Sequence, residues 1–491
     1  LTSCPEVKNG MKNILGFKDP YLENVCLLML KKKSAVFFAV ILLLVACKHG
    51  QKSSKQKSEE KPYVSLADAD TALFRQVQQQ TFRYFWDGAE PVSGLGRERI
   101  HTDNIYPDND QTVVTSGGSG FGVMAILVGI ERNFVTKEAG RKQLEKIVHF
   151  LETADRFHGA WPQWWNGETG KVVPFGKKDN GGDLVETSFM VQALLCVRQY
   201  YQNGNAEEKA LAARVDKLWK EVEFDWYRNG KNVLYWHWSP DYGWQMNFPV
   251  HGYNECLIMY VLAASSPTHG VPAEVYHEGW AENGKINDVN KPDGIAANYA
   301  YKLQMKHQGD AWNGGPLFWA HYAYLGLDPH GLKDKYADYW KENTTQALIN
   351  YQWCVDNPNK FKGYDSNSWG LTSSYSVKGY AGHAPTTERD LGVISPTAAL
   401  SSFPYTPQQS MAAMKHWYND MKEKLWGAYG FYDAFSEQDN WYLPRYLAID
   451  QGPIVVMMEN YRSGLLWKLF MSCPEIKAGL KKLNFVSPYL K

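Results

Sequence analysis

The chain has 491 residues with 52 basic and 52 acidic side chains, so it carries no net charge and offers no field for nucleic acid or another polyanion; a neutral partner fits it better. Aromatic residues make up 14% of it, which suits stacking on sugar rings and equally suits the filling of a large core. No Gly-Xaa-Ser-Xaa-Gly elbow, P-loop, dinucleotide fingerprint, HExxH pattern or Cys/His cluster of ligand spacing occurs, which disfavours esterase, kinase, dehydrogenase and metalloprotease chemistry.

In chain order, residues 1–28 hold an oddity. Ser3-Cys-Pro-Glu-Val-Lys-Asn-Gly10 and Phe17-Lys-Asp-Pro-Tyr-Leu22 repeat Ser472-Cys-Pro-Glu-Ile-Lys-Ala-Gly479 and Phe485-Val-Ser-Pro-Tyr-Leu490. This reads as the tail of a related neighbouring gene joined by an upstream start, with a duplicated terminal hairpin as the alternative. Residues 29–47 read as a bacterial lipoprotein signal: Lys31-Lys-Lys33 is basic, Ala35 to Val45 apolar, and Leu44-Val-Ala-Cys47 places Cys47 as the lipid site. Residues 48–65 are polar and apolar-poor, a flexible tether.

From residue 66 to 491 no linker interrupts the chain. Helical spacing of apolar residues predicts helices over Ala72 to Phe85, Phe121 to Glu131, Lys137 to Ala154, Glu186 to Tyr201, Ala206 to Val222, Glu255 to Ala264, Gly315 to Leu325, Tyr336 to Val355, Thr397 to Leu400, Pro407 to Lys424 and Gln451 to Phe470. A short strand pair is expected around Asn232 to Trp238. Many helices joined by long aromatic loops predict an all-α toroid, with the cleft at one end of its inner helices. Of the seven cysteines, Cys196, Cys256, Cys354 and Cys473 fall in this part in apolar contexts, the setting of buried free thiols.

Two carboxylates stand out. Glu255, in His251-Gly-Tyr-Asn-Glu255, opens an apolar run, and loss of water would keep its proton available as a general acid. Helix capping is the bland alternative, and its dipole would act in the opposite direction. Asp433, in Tyr429-Gly-Phe-Tyr-Asp433, could stay ionised and activate water, with Asp439 in the same loop as the alternative base; such a pair is the chemistry of glycoside hydrolysis. Asp179, Asp183 and Glu186 form an acidic segment around Gly181-Gly182, either a cleft wall or a cap. Trp369 could stack on a sugar, and Arg389 or Asp390 could hold its hydroxyls.

Tyr253-Asn-Glu255, Gly315-Pro-Leu-Phe-Trp-Ala-His-Tyr322, Asn367-Ser-Trp-Gly-Leu-Thr372, Ile394-Ser-Pro-Thr-Ala-Ala399 and Tyr429-Gly-Phe-Tyr-Asp-Ala-Phe435 together resemble the glucoamylase-like family that includes the bacterial β-1,2-glucanases of glycoside hydrolase family 144. The resemblance implies an (α/α)6 barrel and inverting hydrolysis of β-1,2-glucan, within chains or from their ends with release of sophorose-type products, using no metal or cofactor. It matches Glu255 to the general acid, Asp433 to the base, and Asp179, Asp183 and Glu186 to the acidic cleft cluster; Tyr253, beside Glu255, is a further expected substrate-binding residue. The polar Ser373-Ser-Tyr-Ser376 departs from the pattern. The expected enzyme is a monomer that meets the membrane only through its anchor, on the periplasmic side of the outer membrane or at the cell surface. Alternatives are a hydrolase of another glucan, a glycan-binding lipoprotein without catalysis and, more distantly, a sugar epimerase.

Overall fold

The computed structural model describes residues 67–106, 110–287, 297–298, 303–304 and 315–491. The segments 1–28, 29–47 with Cys47, and 48–65 lie outside the described residues. Residues 61–491 form one compact unit.

Its helices fall into two kinds, and the sequence explains the division. The helices α2 (Ser116–Glu131), α4 (Leu184–Tyr201), α6 (Leu257–Ser265) and α11 (Ala448–Ser463) are buried over almost their whole circumference, in keeping with their apolar or small residues on every face. By contrast α1 (Asp68–Trp86), α3 (Lys137–Thr153) and α5 (Ala206–Lys220) alternate buried and exposed positions at helical spacing. Thr136 caps α3, and Asn205 with Glu208 forms a capping box at the start of α5.

The buried helices are neighbours in the order α11, α2, α4, α6, with α8 (Pro396–Leu400) against α11. Around them α1 packs on α2 and α11, α3 on α2 and α5, and α5 on α4. Small residues set the closest approach. A Cβ on Gly120 of α2 would lie 2.8 Å from the Met190 backbone of α4, so this crossing admits only glycine without a shift. The chain continues through α7 (Tyr339–Asp356), α9 (Pro407–Asp420), α10 (Lys422–Leu425), α12 (Leu465–Ser472) and α13 (Pro474–Lys482), the last lying on α6.

Several predicted elements differ from those observed. The run Gly315 to Leu325 is two 3-10 turns, Leu317–Ala320 and Tyr322–Tyr324, separated by His321 at φ −111°. The run Gln451 to Phe470 is two helices, because Gly464 adopts a left-handed φ of +67° and closes the first. His237–Trp238 pairs with the distant Gly182–Asp183. Short strands are more numerous than the apolar pattern implies: Arg99–His101 pairs with Arg445–Leu447, Ser373–Ser376 with Gly379–Gly382, and Val113–Thr115 with Trp164–Asn166. Cys196, Cys256, Cys354 and Cys473 are free and buried.

Candidate active site

These short strands lead directly into the buried helices. Val113–Thr115 runs into α2, Gly182–Asp183 into α4, and Arg445–Leu447 into α11, while Glu255 stands just ahead of α6. A cavity of about 520 Å³ opens at these helix starts, lined by Glu98, Thr115, Asp179, Glu186, Glu255, Tyr322 and Leu447 among others. Its size is that of a small-molecule or oligosaccharide site.

Among the described residues, four of its lining side chains are carboxyls, Glu98, Asp179, Glu186 and Glu255, set against the guanidinium of Arg99, which is itself paired with Asp110 at 2.8 Å. Glu186 projects from the first turn of α4 and takes the N–H of Gly117 on its Oε2 at 2.8 Å. A Cβ at position 117 would come within 2.3 Å of that oxygen, so glycine here is a condition of the contact. Burial pushes the Glu186 carboxyl up to about 8; the Gly117 bond lowers it, and the charges of Glu98, Asp179 and Glu255 raise it further. Glu98 is pushed up to about 7 by loss of water, against the opposing pull of Arg99. Asp179 is raised by burial and lowered by the charge of His237.

Asp183 stands behind the cavity wall. Its Oδ1 caps α4 by accepting the Glu186 N–H at 2.8 Å, and its Oδ2 accepts from Trp236 Nε1 at 2.8 Å. Full burial, then the charges of Glu186 and Asp179, hold its carboxyl well above the usual range.

Asp433 is 2% exposed and takes the Tyr375 N–H on Oδ2 at 2.8 Å. Tyr375 lines the cavity, whereas Asp433 lies behind it. A hydrogen bond joins Asp433 to Asp450, in the first turn of α11. Burial raises Asp433 to about 6, with that bond opposing; burial and then the Asp433 charge hold Asp450 far above the carboxylate range. The two carboxyls titrate as a pair, Asp450 holding its proton to higher pH than Asp433. Tyr322, on the cavity wall, donates its hydroxyl to Asp450 at 3.5 Å.

The other expected site residues are elsewhere. Trp369 is buried in the core, its Nε1 donating to the Gln409 carbonyl at 3.3 Å. Tyr253 is wholly buried and donates to Asn343. Asp390 is enclosed by Trp353 Nε1 at 2.8 Å and the Tyr364 hydroxyl at 2.7 Å, which makes it a structural acceptor. Arg389 is exposed and is absent from the cavity lining. Asp439 is exposed in the turn between Phe435–Ser436 and Trp441–Tyr442, bonded to Ser436. In place of these the cavity brings together Glu98, Arg99, Trp236, His237, Tyr322 and Tyr375. Among the described residues, no group of three or more His, Cys, Asp or Glu side chains is arranged to hold a metal ion.

A helix-rich unit with a carboxyl-lined cavity at the starts of its buried helices has the architecture of a helical glycoside hydrolase. A family model described as "Putative glucoamylase" matches residues 247–474. The chain is 70% identical to an endo-β-1,2-glucanase from Chitinophaga pinensis, solved with sophorotriose and glucose, over 87% of this chain and 100% of that one, with a TM-score of 0.83. It is 45% identical to an exo β-1,2-glucooligosaccharide sophorohydrolase (non-reducing end) of Parabacteroides distasonis over 85% of its own length, and it spans 58% of the length of that curated relative. An endo-β-1,2-glucanase from Talaromyces funiculosus, 10% identical over 84% of this chain and 90% of that one with a TM-score of 0.59, shares the fold. The chain belongs to the glucoamylase-like family that includes the bacterial β-1,2-glucanases, the glycoside hydrolase family 144 type.

Proposed function

We propose that this chain hydrolyses β-1,2-glucan by a two-carboxylate mechanism with inversion. The observation that carries the reading is the cluster of Glu98, Asp179, Glu186 and Glu255 in one cavity, in a chain 70% identical to an endo-β-1,2-glucanase along that enzyme's full length. Glu255, buried on the cavity wall, delivers the proton to the glycosidic oxygen. Asp433, raised only to about 6, is ionised at neutral pH and serves as the base. Because it lies behind Tyr375, it acts through a relay: Tyr322 takes a proton from the attacking water as it gives its own to Asp450, whose proton moves on to Asp433. The buried helices, with the 3-10 turns at Leu317–Tyr324 and α8 completing their ring, close into an (α/α)6 barrel. The enzyme acts as a monomer anchored through Cys47 and faces the periplasm; protease treatment of intact cells that digests it while sparing a periplasmic control would place it on the outer surface instead.

The relatives include both a chain-internal and a chain-end enzyme, so product length is the decisive readout. A second reading, hydrolysis of a different glucan, is favoured by the glucoamylase description of the matching family model. Incubation with β-1,2-, β-1,3- and α-1,4-glucans followed by product chromatography separates the two. The expected result is short β-1,2-linked products, sophorose among them. Release of glucose from starch with β-1,2-glucan left intact overturns the first reading.

A further inference from the structure

His237 occupies a position that the carboxyl chemistry does not explain. It lies in the short strand His237–Trp238, paired directly with Asp183 at the start of α4, and it is 5% exposed. Its ring lines the cavity, yet neither Nδ1 nor Nε2 has a hydrogen-bond partner among the described residues. Its polar neighbours are engaged: Trp236 Nε1 donates to Asp183, and Asn180 donates to Asp241 and accepts from Ser239. A buried polar atom left unpaired is destabilising, and native structures leave few of them. An imidazole kept unpaired on the wall of a cavity that also holds carboxyls is therefore placed for a ligand.

The neighbouring group narrows the ligand. Asp179 stands on the same cavity wall. A neutral imidazole offers one donor and one acceptor, and a carboxylate offers acceptors only. Together they match two sugar hydroxyls, one donating to Asp179 and one accepting from the imidazole N–H. We propose that His237 is a substrate-binding residue that, with Asp179, holds hydroxyls of a glucosyl residue seated in the cavity and selects for their presence. The inference rests on the reading of the chain as a glucan hydrolase. A site with buried groups aimed at a hydroxyl discriminates strongly against ligands that lack it, because its own groups are then stranded.

The test is His237→Phe, which keeps the ring and removes both nitrogens. Kinetics on sophorotriose and on long β-1,2-glucan, with thermal melting alongside, give the readouts. The expected result is a fall in kcat/KM of roughly 10- to 100-fold, the range of one or two lost hydrogen bonds, with a melting temperature equal to or above that of the wild type. A kcat/KM within threefold of wild type overturns the proposal. So does a loss of activity that comes with a drop of several degrees in melting temperature, which would make His237 a structural residue. Should the wild type cleave another glucan of the panel instead, the substrate reading has failed, and the same comparison on that glucan's trisaccharide decides His237 separately.

Discussion

Replacing Gly117 by alanine tests whether the position of Glu186 matters to the chemistry. The new Cβ would meet Glu186 Oε2 at 2.3 Å and Phe189 Cδ2 at 2.9 Å. Restoring an ordinary contact of about 3.5 Å to the oxygen moves the carboxyl by roughly 1 Å. The Gly117 N–H bond, which lowers the Glu186 pKa, is lost with that movement, so the carboxyl titrates still higher. A displacement of this size in a catalytic site costs on the order of 100-fold in rate. Stability should change little, since alanine is favoured over glycine in a helix by about 1 kcal/mol, close to the roughly 1 to 2 kcal/mol lost with the hydrogen bond. The assay is kcat/KM on β-1,2-glucan across pH, with thermal melting alongside. Gly120→Ala is the comparison: its Cβ meets the Met190 backbone at 2.8 Å, so the α2–α4 spacing itself must give and the melting temperature falls. A Gly117→Ala protein with wild-type kcat/KM and an unshifted pH profile would show that the Glu186 position is immaterial and refute the reasoning.

Glu255→Gln keeps the shape of the site and removes the transferable proton, so turnover falls at least about 100-fold while folding survives; near-normal turnover removes Glu255 from catalysis. Tyr322→Phe keeps the core ring but cuts the line to Asp450, so kcat falls by roughly 10-fold or more with little change in melting temperature, and an unchanged kcat excludes the relay. Glu186→Gln has a stability signature: below pH 4.5 both states of the wild type are protonated there and the variant gains nothing, whereas between pH 4.5 and about 8 the unfolded chain ionises while the folded one holds its proton. Wild-type stability falls through that window, so the variant's melting temperature rises relative to wild type from pH 5 to pH 8.5, and a constant difference refutes the assignment. Arg389→Ala leaves activity within about twofold, while Trp369→Ala, which empties a core position, destabilises by about 3 to 5 kcal/mol in denaturant titrations; the reverse pattern would return both residues to the cleft.

The helices were legible wherever burial imposes a pattern. The apolar runs at 121–131, 186–201 and 255–264 each mark a buried helix to within a few residues, because a helix surrounded by protein must be apolar on every side. Breaks inside a run were not legible, since Gly464 stops a helix by its backbone conformation and leaves the surrounding apolar residues unchanged. The same contrast divides the site. Asp179 and Glu186 drew notice as part of an acidic segment, and Glu255 as the one charge before an apolar run; all three line the cavity. Glu98 stands in Arg97-Glu98-Arg99, which reads as a solvated stretch of charge, and Asp450 sits in a first helical turn, where an acid reads as dipole complement.

The expected residues that lie away from the cavity share a cause that runs the other way. Trp369 and Asp390 have side chains able to bind sugar, and Tyr253 stands beside Glu255, but an indole N–H, a phenol and a carboxylate are equally able to satisfy one another inside a core this rich in aromatics. Trp353 and Tyr364 take up both oxygens of Asp390, and Trp369 finds a backbone carbonyl. What marks the cavity wall is an unmet demand: carboxyls buried until they hold protons near neutral pH, and an imidazole with no hydrogen-bond partner among the described residues. Those demands arise between segments far apart in sequence, as when Gly117 of α2 meets Glu186 of α4, or His237 reaches the start of that same helix. Residue type and spacing name the groups able to do chemistry, and only the folded arrangement shows which of them the protein itself leaves unsatisfied.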